Sequence, residues 1–90
     1  MISQRYTDRF TDEDFAAVLP EETEQARRLY ADGVVRNIWL REDVRGACLL
    51  LEAESLSTAQ AAIATLPLAH KQMSEFTIIP PQPYRGFGPR

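Results

Sequence analysis

Two side chains of this chain combine a reactive type with a suggestive position: Glu22 and His70. Glu22 lies between Leu19 and Ala26 on what the helical spacing predicts to be the apolar side of its helix. A carboxylate placed there has its charged form disfavoured by desolvation and could shuttle a proton. The alternative is a glutamate near a helix start whose head group reaches water. His70 falls between a helix end and a strand, where functional sites often gather, although a surface histidine without a role fits equally.

Arg36 and Trp39 are candidates for holding a ligand, because both fall in a segment rich in β-branched and aromatic residues. Strict alternation places Trp39 on one face of that strand with Val35, and Arg36 on the opposite face. Arg36 could bind a substrate carboxylate in a bidentate manner, or form a surface salt bridge. Trp39 could line a pocket, but filling a subunit interface is favoured because aromatic residues are enriched there.

Other kinds of site find little support. The chain has one His and one Cys, without metal-ligand spacing, and its four glycines form no phosphate-binding pattern. We therefore expect neither a metal nor another cofactor. The net charge of −3 and the scattered basic residues disfavour nucleic acid and an anionic membrane surface as partners. The strand that would carry the stacking rings of an RNA recognition module reads RGACL from residue 45, without aromatic residues.

The elements that position these residues follow the order β-α-β-β-α-β, which is typical of a ferredoxin-like α+β fold with a four-stranded antiparallel sheet. Thr11 and Asp14 form a capping box, Gly33 ends the first helix, and Pro20 either kinks that helix or begins another. Ser57 is the predicted cap of the second helix, which Pro67 ends. The predicted strands cover residues 2–7, 34–41, 46–53 and 73–79, within one domain of residues 1–81. Residues 82–90 are predicted to form a C-terminal arm with Tyr84, Arg85 and Phe87 as anchors.

One predicted strand is apolar on both faces, since residues 47–51 read ACLLL. Such a strand needs a cover on each side, and one layer of helices supplies only one. A second copy of the chain is the expected second cover, so we predict a homodimer or a larger homo-oligomer. Cys48 lies in this strand as a small buried hydrophobe, which together with the lack of a targeting or membrane-spanning segment predicts a cytoplasmic protein.

Two segments carry a family resemblance. Residues 24–33, EQARRLYADG, and residues 64–68, ATLPL, are similar to the muconolactone delta-isomerase-like family, and the likeness covers most of residues 20–80. The resemblance implies a dimeric α/β barrel in which two four-stranded sheets face each other. It also implies cofactor-free movement of a proton in a small lactone. Thr23 stands where the family's enzyme carries a lysine, and residues 69–72 depart from the family's pattern.

Taken with these residues, the resemblance implies a cofactor-free proton-transfer isomerase that acts on a small lactone or organic acid in aromatic catabolism. Glu22 is the predicted base and His70 an auxiliary acid or base, while Arg36 and Trp39 position the substrate. The alternative from another class is a non-catalytic module for small-ligand binding or oligomeric assembly. A cofactor-independent monooxygenase is a further alternative, by analogy of fold only.

Overall fold

The computed structural model describes residues 1–82 and Gly86, and it folds them into one sheet with helices on one side. The elements are β1 (Ile2–Arg5), α1 (Asp12–Ala31), β2 (Val35–Leu40), β3 (Ala47–Leu51), α2 (Leu56–Ile63), α3 (Pro67–His70) and β4 (Ser74–Thr77). The strand order is β2-β3-β1-β4, and every neighbouring pair is antiparallel. This confirms a small α+β domain with a four-stranded antiparallel sheet, compatible with a ferredoxin-like fold. The predicted anchors of the C-terminal arm, Tyr84, Arg85 and Phe87, lie outside the described residues.

Helix α1 begins as its sequence predicts. Thr11 is the N-cap, its side chain accepts from the Asp14 N–H, and the Asp14 carboxylate accepts from the Thr11 N–H, which completes the capping box. Phe10 and Phe15 pack edge to face, with ring centroids 6.0 Å apart. Pro20 lies inside one continuous helix, so it does not begin another.

The end of α1 is a glycine-terminated cap. Gly33 adopts φ 81°, a left-handed conformation that favours glycine. The Val34 N–H donates to the Leu29 carbonyl and the Gly33 N–H donates to the Tyr30 carbonyl, which is the bond pattern of a Schellman motif. The chain therefore turns sharply from α1 into β2.

The start of α2 and the role of Pro67 differ from the sequence prediction. Ser55, rather than Ser57, is the N-cap, and its hydroxyl accepts from the Thr58 N–H. Pro67 does not end α2, which stops at Ile63, but is the first residue of α3. Proline suits that position because an N–H group in the first turn of a helix has no acceptor within the helix, so its absence breaks no hydrogen bond.

Strand β2 contains a bulge that corrects the predicted face assignment. Val35 pairs with Leu51 and Asn37 with Leu50, so Arg36 is an extra residue without a partner on β3. The bulge moves Val35 to the helix-facing side of the sheet, away from Trp39. Beside it, the Asn37 side chain accepts from the Ile38 N–H at 2.9 Å.

The core lies between the sheet and the helices. It comprises two clusters, one centred on Leu29, Val35, Leu49, Ile63 and Leu66 and the other on Phe15, Val18, Leu68 and Met73. On the other side of β3, Leu50 stays 53% exposed. One face of the doubly apolar strand is thus covered and the other is open within residues 1–82.

Gly46, just before β3, marks a close approach between two backbones. A Cβ atom at this position would lie 1.9 Å from the Ser3 carbonyl oxygen on β1. Any side chain there would force β1 and β3 apart.

None of the helices in the described part of the chain has the length and apolar character required to cross a bilayer.

Candidate functional site

A cleft of about 480 Å³ lies between α1 and the helix-facing side of the sheet. Its volume falls within the range of roughly 300–1,000 Å³ that small-molecule sites occupy. Its walls are mainly apolar and come from α1, all four strands and the segment around α3. The lining residues are Ser3, Arg5, Leu19, Glu22, Thr23, Ala26, Arg27, Tyr30, Val35, Ile38, Leu40, Gly46, Ala47, Leu49, Leu66, Leu68, Ser74 and Phe76.

The cleft has a buried floor and an exposed mouth. Val35, Leu49 and Leu66 are buried and form part of the floor. Leu40 is 83% exposed and Tyr30 is also largely exposed, although both line the same cleft. The bulge in β2 contributes to this shape, because it brings Val35 onto the same face as Leu40. The cleft therefore opens between exposed apolar side chains and ends on a buried apolar floor.

Glu22 is the carboxyl group in the wall of this cleft. It is half-buried, and its Oε1 atom accepts from the Leu68 N–H at 2.9 Å. Burial raises the pKa of Glu22, while the Leu68 hydrogen bond and the positive charges of Arg5 and His70 act in the opposite direction. A raised pKa is what the sequence predicts for a carboxyl group on the apolar side of its helix. The carboxyl group therefore keeps its proton to a higher pH than the carboxyl group of an exposed glutamate does.

Arg5 brings a positive charge into the same cleft. Its side chain is partly buried, and its guanidinium carbon lies 5.1 Å from the centroid of the Phe15 ring. Within residues 1–82 its guanidinium group forms neither a salt bridge nor a hydrogen bond. Sequence reasoning missed Arg5 as a site residue. The available signal was its alternation with Ser3, because the side of β1 that carries both residues faces α1.

Three exposed side chains of α1 border the cleft: Thr23, Arg27 and Tyr30. Their spacing of four and three residues places them in one row along the helix, next to Glu22. All three are exposed, so they belong to the mouth rather than to the floor.

His70 lies outside the cleft lining but acts on Glu22 electrostatically. It is exposed, and it is the last residue of α3, whose second residue, Leu68, donates to Glu22. Its charge lowers the pKa of the Glu22 carboxyl. The structure thus brings the two residues with predicted acid–base roles into one neighbourhood.

Arg36 and Trp39 are not brought to this cleft. Arg36, the bulge residue, lies 3.5 Å from a Glu52 carboxylate oxygen, and both side chains are largely exposed. Trp39 lies on the opposite side of the sheet, where it pairs with Cys48. Neither residue is among those that line the cleft beside Glu22.

The side of the sheet that carries Trp39 forms a second surface, here called the open face. In the strand register, Trp39, Cys48 and Ile2 lie side by side across three strands, and Leu50 lies next to this row on β3. Trp39 is 50% exposed, and Leu50 is exposed to a similar extent. Polar residues at Gln4, Asn37, Glu75 and Thr77 border the apolar centre on the same face.

No cluster of three or more His, Cys, Asp or Glu side chains that could hold a metal ion occurs within the described residues. Comparison of the chain with protein-family models, with curated proteins and with solved structures finds no match.

Proposed function

We propose that the chain is a cofactor-free proton-transfer isomerase for a small unsaturated organic acid or lactone, with Glu22 as the base. One observation carries this proposal: a half-buried carboxyl group with a raised pKa lies in the wall of a mainly apolar cleft. A base is most effective when its pKa is near the working pH. The apolar walls favour a substrate with a hydrocarbon or lactone body.

The proposed reaction moves a carbon–carbon double bond by one position. The Glu22 carboxylate removes a proton from the carbon between the double bond and the carbonyl group. The electron pair of that C–H bond delocalises into the carbonyl, and a dienolate forms. The protonated Glu22 then returns the proton to the far carbon of the former double bond. Proton and electrons balance within substrate and enzyme, so the reaction needs no oxidant or cofactor.

The contacts of Glu22 suit this role. The Leu68 N–H engages Oε1, and no hydrogen bond to Oε2 is formed by any residue in the described range 1–82. One oxygen is thereby held in place while the other is available to a substrate. His70 is proposed as an auxiliary group that tunes Glu22 through its charge. Arg36 and Trp39 lie away from the cleft, and we do not assign them to substrate binding within it.

Deuterium exchange tests the proposal directly. The full-length chain is incubated in D₂O with a panel of β,γ-unsaturated γ-lactones and β,γ-unsaturated acids. Proton NMR follows deuterium entry at the far carbon of the former double bond, and next to the carbonyl when the first step reverses, because the carboxyl proton of Glu22 exchanges with solvent. We expect catalysed exchange with at least one panel member. Glu22→Gln should reduce it by about a hundredfold or more, the usual scale of lost general-base catalysis.

Glu24→Gln is the matched control, because Glu24 lies two residues away on the same helix, is exposed and pairs only loosely with Arg28 at 3.8 Å. It should exchange at the wild-type rate, and circular dichroism should show that both variants are folded. Full exchange activity in Glu22→Gln, or no exchange by the wild-type chain with any panel member, would contradict the proposal.

A second candidate function is an assembly module, and the open face favours it. We propose that a second copy of this chain covers the open face, so that two sheets face each other. The apolar centre of Trp39, Cys48, Ile2 and Leu50 could pack against the same residues of a second copy across a twofold axis. Its polar border contains one charged residue, Glu75, so little like-charge repulsion opposes the pairing. Pairing would also be compatible with catalysis, because the cleft lies on the other side of the sheet.

A further inference from the structure

Arg5 is a charged residue of the cleft to which the proposed reaction gives no task. An arginine side chain on the inner face of a sheet is expensive to bury unless its charge is compensated. Here the Phe15 ring contributes a cation–π contact at 5.1 Å, and the Glu22 carboxyl group lies near enough to interact with the Arg5 charge. No residue in the range 1–82 accepts a hydrogen bond from the Arg5 guanidinium group.

The charge of the cleft favours an anionic guest. Its lining contains two positive side chains, Arg5 and Arg27, and one acidic side chain, Glu22. Arg27 is exposed at the mouth, whereas Arg5 is partly buried. The buried position matters because an ion pair shielded from water is stronger than one at the surface.

We propose that Arg5 is the anchor for the carboxylate of the ligand, so that the cleft selects small monocarboxylic acids with an apolar body over uncharged lactones or amides. The guanidinium binds the two carboxylate oxygens through parallel N–H donors, as arginine does in bidentate pairs. The hydrocarbon part then extends over Leu49 toward Leu40 at the mouth. This assignment rests on the cleft of the proposed function as the ligand site, and it adds the substrate class to that function.

The anchor also orients the reaction. Arg5 lies near enough to Glu22 for its charge to act on that carboxyl group. A carboxylate held by Arg5 therefore brings the carbons next to it into the neighbourhood of Glu22. These are the carbons whose protons a conjugating carbonyl group makes acidic.

Binding of unreactive probes tests the anchor separately from catalysis. The full-length chain, labelled with ¹⁵N, is titrated with benzoate and with benzamide, which differ in charge but hardly in shape. We expect benzoate to bind about tenfold to a hundredfold more tightly, as charge-assisted hydrogen bonds predict. The perturbed backbone amides should be those of the cleft, such as Ala47, Leu49 and Ser74.

Variants of arginine identify the responsible group. Arg5→Met should remove the preference for benzoate, whereas Arg5→Lys should retain a reduced preference, because it keeps the charge and loses the planar fork. Arg9→Met is the matched control, since Arg9 makes the same kind of contact, 4.4 Å from the Tyr6 ring centroid, but does not line the cleft. It should bind both probes as the wild-type chain does.

The outcomes separate this inference from the proposed function. Glu22→Gln should still prefer benzoate, because the anchor does not depend on the base. A preference for benzoate without catalysed deuterium exchange would overturn the proposed isomerase function and leave the Arg5 anchor in place. Catalysed exchange without a preference for benzoate would overturn the anchor and leave the proposed function in place. Equal binding of the two probes, binding of neither, or an unchanged preference in Arg5→Met would each overturn the anchor.

Discussion

Glu22 has a structural contact and is also the proposed base. Its carboxyl group holds the start of α3 through Leu68, and it also faces the cleft. The helical spacing around Leu19 and Ala26 was sufficient to predict its place on the apolar side. The partner on α3 could not be predicted, because Leu68 is 46 residues away and offers a backbone donor that no side-chain pattern reveals.

A pH-dependent stability follows from the raised pKa of Glu22. The folded protein retains the proton to a higher pH than the unfolded chain, whose glutamate titrates near 4.5. The share of the free energy of unfolding that depends on this group is therefore fully present below pH 4.5 and is lost as the pH rises through the folded pKa. Glu22→Gln removes this loss while its amide oxygen can still accept from Leu68.

The free energy of unfolding of Glu22→Gln, relative to the wild type, should thus increase as the pH rises above 4.5. Urea denaturation at a series of pH values measures it, with Glu24→Gln as the control that should follow the wild type. A difference that stays constant, or decreases with pH, would show that burial does not dominate the titration of Glu22.

At the scale of the elements, a helix end could be predicted from the sequence where only one nearby residue has a side chain or backbone suited to the cap. The Thr11 capping box and the Gly33 cap were predicted correctly because the sequence offers one suitable residue at each of these positions. The start of α2 was misassigned because Ser55 and Ser57 are chemically equal. The bulge was missed because alternation in β2 does not reveal which residue is extra. Its placement depends on the pairing with β3, which is a tertiary contact.

Gly46→Ala should be among the most damaging single-methyl changes in this fold. The added Cβ atom would meet the backbone oxygen of Ser3, which cannot rotate away as a flexible side chain would. We expect a loss of about 3 kcal/mol in the free energy of unfolding, at the upper end of the usual range for overpacking. Thermal and urea denaturation of both proteins measure the loss.

Gly33→Ala is the matched comparison, because its new methyl group meets no atom within 4 Å and only the left-handed backbone is penalised. Its cost should be about 1 kcal/mol. A Gly46→Ala protein as stable as Gly33→Ala would mean that β1 and β3 separate easily.

At the scale of the whole molecule, the α+β architecture was predictable because each element carries its own periodicity. The cleft was not predictable, because its volume depends on how far α1 stands from the sheet. The prediction of a second copy rests on ACLLL in β3, where Leu49 is buried and Leu50 is exposed.

Charging the open face should prevent self-association. Trp39→Glu and Leu50→Glu each place a carboxylate in the apolar centre, where pairing about a twofold axis would bring two such charges together. Sedimentation velocity at micromolar concentration should give a dimer or larger oligomer for the wild type and a monomer for both variants. Ala17→Glu, on the exposed side of α1, is the control and should sediment as the wild type does. A compact wild-type monomer would contradict the proposed pairing.

The bulge at Arg36 affects how the β2 edge of the sheet can pair with other strands. β2 is one of the two edge strands of the sheet, and without the bulge its run of Ile38, Trp39 and Leu40 would be a flat template for pairing with a strand of another molecule. The extra residue twists the strand and carries a positive charge, and the Asn37 side chain occupies the Ile38 N–H that an added strand would need. The same irregularity that brings Val35 into the cleft thereby opposes the addition of another strand at the β2 edge of the sheet.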